Sequence, residues 1–161
     1  MRVLFCGINP SLASATTGHH YARPGNRFWP ALHQAGFTPH LLRPDEDHKL
    51  PAYGLGLTNL VARPTRSAAE LERREYIEGA MALARLVARH RPRVLAMVGL
   101  VAWRIGFGRP NATVGHQADV VVGSRPVWVV PNPSGLNAHY QMCDLVRLYS
   151  DLRVYATAQP G

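Results

Sequence analysis

Apolar and polar positions change their period several times along the chain, and each change marks an element. Val3-Leu4-Phe5-Cys6 is a continuous apolar run, so Arg2 to Cys6 reads as a strand covered on both faces. A glycine- and proline-bearing loop follows, and then Arg27 to Ala35 reads as a short helix ended by Gly36. Pro39 to Pro51 is a polar connection holding Asp45, Glu46, Asp47 and His48, and Tyr53 to Val61 reads as a second strand. Ser67-Ala68-Ala69-Glu70 fits a capping box, which predicts a long helix from there to Arg91, with Pro92 marking its stop. Val94 to Val98 is a third buried strand, the Gly99 turn leads into a short helix over Leu100 to Phe107, and Gly106 to Gly115 reads as loop. A weaker strand at Asp119 to Val122, a Gly123-Ser124 turn and a firmer strand at Val127 to Pro131 precede a final helix from about Ala138 to Val154. Thr157 to Gly161 reads as a frayed tail.

Strands alternating with helices predict the α/β class, as a single-domain three-layer sandwich over residues 1–161 with a mainly parallel central sheet flanked by helices. With 47% hydrophobic residues the chain is long enough to bury that core without a linker or second domain. Ligands of such sheets sit beyond the carboxyl ends of the strands. The tripeptide Asn-Pro-Ser occurs twice, as Asn9-Pro10-Ser11 and Asn132-Pro133-Ser134, each time just after a strand-like run. Proline stops a strand and holds the preceding residue extended, so both asparagine amides are presented at strand ends, where they can face one cleft.

Charge narrows the partner. The net charge is +8, and 17 of the 18 basic residues are arginines spread from Arg2 to Arg153, with Lys49 the single lysine. That excess favours a polyanion through counterion release, nucleic acid ahead of a membrane surface. No apolar run approaches the roughly 20 residues that span a bilayer, and Val3 to Ile8 is too short for a secretory signal, so a cytoplasmic protein is expected. Cys6 and Cys143 cannot supply a four-thiolate site and are expected to be buried. His19-His20 has no carboxylate or cysteine beside it in the chain, which makes a weak metal ligand set; neither metal nor cofactor is expected.

The usual nucleophile and phosphate motifs are missing: there is no Gly-x-Ser-x-Gly elbow and no Gly-x-x-x-x-Gly-Lys-[Ser/Thr] loop. Amides remain. Asn9, Asn26, Asn59, Asn132 and Asn137 fall at strand ends or loops, and a carboxamide donates and accepts at once, as reading a base edge or orienting a water requires. Taken singly, each is a turn or cap residue; five on one rim point to a site.

Four ordered blocks then carry a resemblance over nearly the whole chain. They are Gly7-Ile8-Asn9-Pro10-Ser11, Gly18-His19-His20-Tyr21-Ala22-Arg23-Pro24-Gly25-Asn26-Arg27-Phe28-Trp29, Gly54-Leu55-Gly56-Leu57-Thr58-Asn59-Leu60-Val61-Ala62-Arg63-Pro64-Thr65 and Asn132-Pro133-Ser134-Gly135-Leu136-Asn137. Together they resemble the mismatch-specific uracil/thymine DNA glycosylases of the uracil-DNA glycosylase superfamily. The resemblance implies that Asn9 orients the attacking water, that Tyr21 stacks on a flipped uracil, that His20 and backbone near Ile8 hold the base carbonyls, that Asn59 reads the pyrimidine edge and that Thr65 helps hold the water. It also implies that Asn132 to Ala138 forms an insertion loop, in which Ser134, Gly135, Asn137 and Ala138 flank Leu136, an apolar wedge for the void an extruded nucleotide leaves. The chain departs from a familiar bacterial pattern at Ala138, where an arginine often stands.

The function so implied is DNA repair: extrusion of uracil from G·U mismatches in duplex DNA, or of other damaged pyrimidines, and hydrolysis of the N-glycosidic bond to leave an abasic site. Lys49 stands outside the resembling blocks, so no amine nucleophile is expected and the enzyme is expected to be monofunctional and monomeric, working at the nucleoid. An asparagine cannot abstract a proton as a carboxylate can, which predicts slow catalysis by positioning. The acidic stretch offers Asp45 or Asp47 as an auxiliary base if it folds over the cleft. A catalytically silent nucleic-acid-binding α/β module and a hydrolase of free nucleosides are the alternatives; a wedge at Leu136 has no use in the latter.

Overall fold

Strand β1 (Val3–Gly7) is apolar on both faces, and the layering of the molecule follows from that. In the computed structural model, which describes residues 1–161, β1 and β3 (Val94–Val98) are buried along their whole length. Val3 and Phe5 point into one core while Leu4 and Cys6 point into a second, and Val94, Ala96 and Val98 alternate with Leu95 and Met97 in the same way. That is the period-two pattern of strands sandwiched between two helical layers.

The sheet has five strands in the order β2-β1-β3-β5-β4. β2 (Leu55–Asn59), β1, β3 and β5 (Arg125–Val130) run parallel, and β4 (Gly115–Val122) closes one edge antiparallel, with an irregularity between His116 and Val121. One face is covered by α2 (Phe28–Gln34) and α5 (Met142–Ala158), which bury Phe28, Leu32, Leu145 and Tyr149. The other is covered by α3 (Arg73–His90) and α4 (Leu100–Gly106), which bury Tyr76, Leu83 and Trp103. This is the mainly parallel α/β sandwich the periodicities predict.

The departures are local, and most have a visible cause. The expected loop after β1 contains α1 (Leu12–Thr17), whose cap is the serine of the first Asn-Pro-Ser: Ser14 N–H donates to Ser11 Oγ at 3.1 Å. The polar connection winds into a 3-10 helix over Pro44–Tyr53. The Ser67–Glu70 capping box caps only a single 3-10 turn, Ala68–Glu70, because Leu71 stays extended and turns its side chain into the second core. The long helix starts afresh at Arg73, where the Glu72 N–H finds its own acceptor in Glu75 Oε2 at 2.8 Å. α5 begins at Met142 rather than Ala138 and runs to Ala158, so the first two residues of the expected tail are helical. Cys6 is buried and its thiol is pushed up by that burial, whereas Cys143 is exposed, contrary to expectation. No helix is long and apolar enough to cross a membrane.

Candidate active site

All four parallel strands deliver their carboxyl ends to one cleft of about 360 Å³. Gly7 to Ser11 enter from β1, Asn59 from β2, Val98 from β3 and Asn132 from the segment after β5. Past the end of the sheet the chain leaving β2 stays stitched to the chain leaving β1. Leu60 N–H donates to the Gly7 carbonyl at 2.8 Å, Val61 N–H to Ile8 at 2.9 Å and Thr65 N–H to Pro10 at 3.3 Å.

Asn9 sits inside that stitching. Its Nδ2 donates to the Arg63 carbonyl at 2.9 Å and to Thr65 Oγ1 at 2.8 Å. The single hydroxyl proton of Thr65 goes to the Ser67 carbonyl at 2.8 Å, so toward Asn9 the Thr65 oxygen can only accept. The amide therefore has one orientation: both of its bonds use Nδ2, and Oδ1 is left as the acceptor of a residue that lines the cleft. Thr65 is 5% exposed, and with its proton spent on Ser67 it acts on Asn9 rather than as a donor to water. Arg63, whose carbonyl is the other anchor, is itself locked to Glu75 by two bonds of 2.8 and 2.9 Å. That pairing is the first cause that lowers the Glu75 carboxyl to about 2.

The opposite wall is the segment from Gly18 to Trp29. Tyr21 stacks on the buried ring of Phe28 with centroids 4.1 Å apart and 20° between the planes. Its backbone is left-handed at φ 52, a conformation that costs a non-glycine residue about 1–3 kcal/mol. The residue is partly buried and lines the cleft, while its hydroxyl is buried with no partner and burial pushes its pKa well up. A Cβ on Gly7 would stand 2.8 Å from both that hydroxyl and Asn59 Oδ1, so the close approach of Tyr21 and Asn59 depends on glycine there. His20 lines the cleft too; its carbonyl accepts from Trp29 Nε1 at 3.1 Å. Burial lowers the His20 pKa, outweighing the attraction of Asp47, so the ring is neutral at pH 7.

After β5, residues 132–139 fold on themselves. Asn132 Oδ1 accepts from Ser134 N–H at 2.9 Å, Ser134 Oγ from Leu136 N–H at 3.2 Å and Asn137 Oδ1 from His139 N–H at 3.2 Å. Leu136 projects from this loop with 75% of its surface exposed.

The sequence model of the Uracil DNA glycosylase superfamily matches residues 1–153. The chain belongs to that superfamily. Membership implies a DNA glycosylase, a hydrolase of the uracil DNA glycosylase kind.

As a member of the uracil DNA glycosylase superfamily, the chain brings most of its expected site residues together. Ile8, Asn9, His20, Tyr21, Asn59, Thr65, Asn132 and Ser134 all line the cleft. Gly135, Leu136, Asn137 and Ala138 do not; they form the loop beside it. The acidic residues stay away from Asn9. Asp47 Oδ2 lies 3.1 Å from His19 Nδ1, Asp45 pairs with Arg43 on the surface, and neither carboxylate lines the cleft. The suggestion of an auxiliary base is corrected accordingly: the 3-10 helix braces the cleft wall through His19. The carboxylate that His19-His20 lacks in sequence arrives in space, but no group of three metal-ligating side chains forms.

Asn26 and Asn132 are turn residues whose Oδ1 atoms accept from the Phe28 and Ser134 N–H groups, and Asn137 spends both ends of its amide on nearby backbone. Sequence reasoning missed Ser14, 9% exposed, whose Oγ accepts from Ala22 N–H beside Tyr21. It also missed Arg23 and Arg66, exposed on the cleft and free of ion pairs, which nothing distinguishes in the sequence from 15 other arginines.

Proposed function

We propose that this glycosylase is monofunctional and mismatch-directed: it extrudes uracil from G·U pairs in duplex DNA and hydrolyses the bond with a water held by Asn9 Oδ1. The observation that carries this reading is the forced orientation of the Asn9 amide, which leaves a fixed acceptor in a cleft that no carboxylate lines. An acceptor at that position takes one hydrogen of a water and turns its oxygen toward the anomeric carbon. The water oxygen then bonds to C1′, the electron pair of the C1′–N1 bond leaves with uracil, and the surplus proton passes to solvent. Rate comes from placement rather than from general-base strength.

Capture of the base falls to the opposite wall. The face of Tyr21 away from Phe28 accepts the extruded pyrimidine by stacking, worth about 1–3 kcal/mol. Neutral His20 is a hydrogen-bond donor to a carbonyl whose negative charge grows as the bond breaks, and Asn59 reads the polar edge. Leu136 enters the stack in place of the departed base. Guanine opposite is met by backbone at Gly135 and Ala138, since Ala138 brings no side-chain donor. Arg23 and Arg66 meet phosphates at the mouth, which makes binding steeply salt-dependent.

The test is a labelled duplex with one central G·U pair, incubated with the protein under single-turnover conditions and split in two. The expected result is a break only in the portion treated with alkali, faster for G·U than for A·U. Strand breaks without alkali would overturn the monofunctional reading, and equal rates on the two pairs would overturn the mismatch preference.

A further inference from the structure

We propose that Arg27 is the positioning residue that fixes the Leu136 wedge relative to the base pocket, an inference that rests on the glycosylase reading above and deepens it. Arg27 is half-buried and has no carboxylate partner; its donors go to main-chain carbonyls of the insertion loop. Nη2 donates to Ser134 at 2.8 Å and Asn137 at 3.1 Å, Nη1 to Tyr140 at 2.6 Å and Nε to Pro133 at 3.4 Å, while its own backbone N–H donates to Pro133 at 2.9 Å. One side chain thus holds both ends of the loop that carries Leu136. A Cβ on Gly135 would fall 2.6 Å from the Gly25 carbonyl, so the loop is also pressed against the chain just before Arg27.

An exposed leucine has no packing of its own to hold it, and its aim depends on the backbone beneath. The planar fork of a guanidinium matches several carbonyls at once, which an ammonium on a flexible stem does not. The neighbours of Arg27 extend the point. Phe28 stacks on Tyr21 and Trp29 Nε1 holds the His20 carbonyl. Three consecutive residues at the start of α2 therefore mount the wedge, the stacking platform and the base-binding histidine on one support. Arg27 sets the distance between the point where a base is pushed and the point where it is caught.

The experiment compares wild type, Arg27→Lys, Leu136→Ala and the double variant for uracil excision from a G·U duplex and from a single strand, with amide hydrogen exchange on the same proteins. Arg27→Lys is expected to lose about tenfold on duplex, the scale of one charged hydrogen bond, and clearly less on single strand. Added to Leu136→Ala it is expected to cost little more, because both act through one element. Equal losses on the two substrates, or additive losses in the double variant, would overturn the proposal. If wild type excises no uracil, the glycosylase reading fails instead, and the clasp is judged by exchange alone. Faster exchange at the loop amides, including Leu136 and Asn137, with β1 unchanged sustains it; unchanged loop exchange sinks it. Arg27→Gln serves in the same assays if the lysine variant does not fold.

Discussion

Thr65 Oγ1 lies 2.8 Å from Asn9 Nδ2 and, with its one proton given to the Ser67 carbonyl at 2.8 Å, joins the Arg63 carbonyl 2.9 Å away in fixing which way the Asn9 amide faces. A nearly buried side chain at the cleft thus helps to set the acceptor that Asn9 offers. Replacing it with valine keeps the shape and removes both bonds. Thr65→Val is expected to lower kcat about tenfold with KM little changed and to cost about 1–3 kcal/mol of stability from the unpaired partners. Thr65→Ser restores both. Steady-state kinetics and a denaturant melt check the two halves.

Gly7→Ala separates function from stability. The added methyl meets only side-chain ends, the Tyr21 hydroxyl and Asn59 Oδ1, so the core has no reason to open. Those two residues must move apart, however, and Tyr21 is held by its stack on Phe28. Excision is expected to fall about a hundredfold, the scale of an ångström-sized misplacement, while Tm changes by a few degrees at most.

Burial lowers the His20 pKa from its ordinary 6.5, so the neutral ring persists to more acidic pH than an exposed histidine would allow. The excision rate is expected to stay level from mildly alkaline pH down to 6.5 and to decline only below it. Stability follows the same sign: the unfolded chain takes up the proton first, so folding weakens as pH drops below 6.5 toward the lowered value. His20→Gln removes that component from both profiles, as pH-dependent kinetics and melts will register.

Glu75 behaves oppositely. Its carboxyl is depressed from 4.5 to about 2, chiefly by Arg63, so its stabilising contribution is complete above 4.5 and is lost as pH falls through 2. Glu75→Gln is expected to be less stable than wild type at neutral pH and nearly equal to it at the acid end. Because Arg63 also supplies a carbonyl to Asn9, the variant is expected to lose some activity at neutral pH as well.

The sheet was legible because its signal is local. Val94 to Val98 was delimited to the residue, and the continuous apolar runs forced helices onto both faces. Much of what escaped was set by contacts between distant segments. The helix waits until Met142 because Gln141 and Asp144 form its capping box, with Gln141 N–H donating to Asp144 Oδ2 at 2.8 Å, while Arg27, 113 residues away, takes the Tyr140 carbonyl just before it. The Ser67 box was real but too weak to carry the helix past Leu71, whose burial sets the break. At the site, strand-end position pointed to Asn9 and Asn59 and the resembling block to Tyr21, and all three line the cleft. The direction of the Asn9 amide was not readable, because it depends on contacts with residues distant in the chain, the Arg63 carbonyl and Thr65 Oγ1.

The central claim is that Asn9 Oδ1 holds the attacking water. Single-turnover excision of uracil from a G·U duplex by wild type and Asn9→Ala tests it most directly, with duplex affinity measured alongside. The account predicts at least about a hundredfold slower excision by Asn9→Ala at nearly unchanged affinity. Equal excision rates in the two proteins would contradict it.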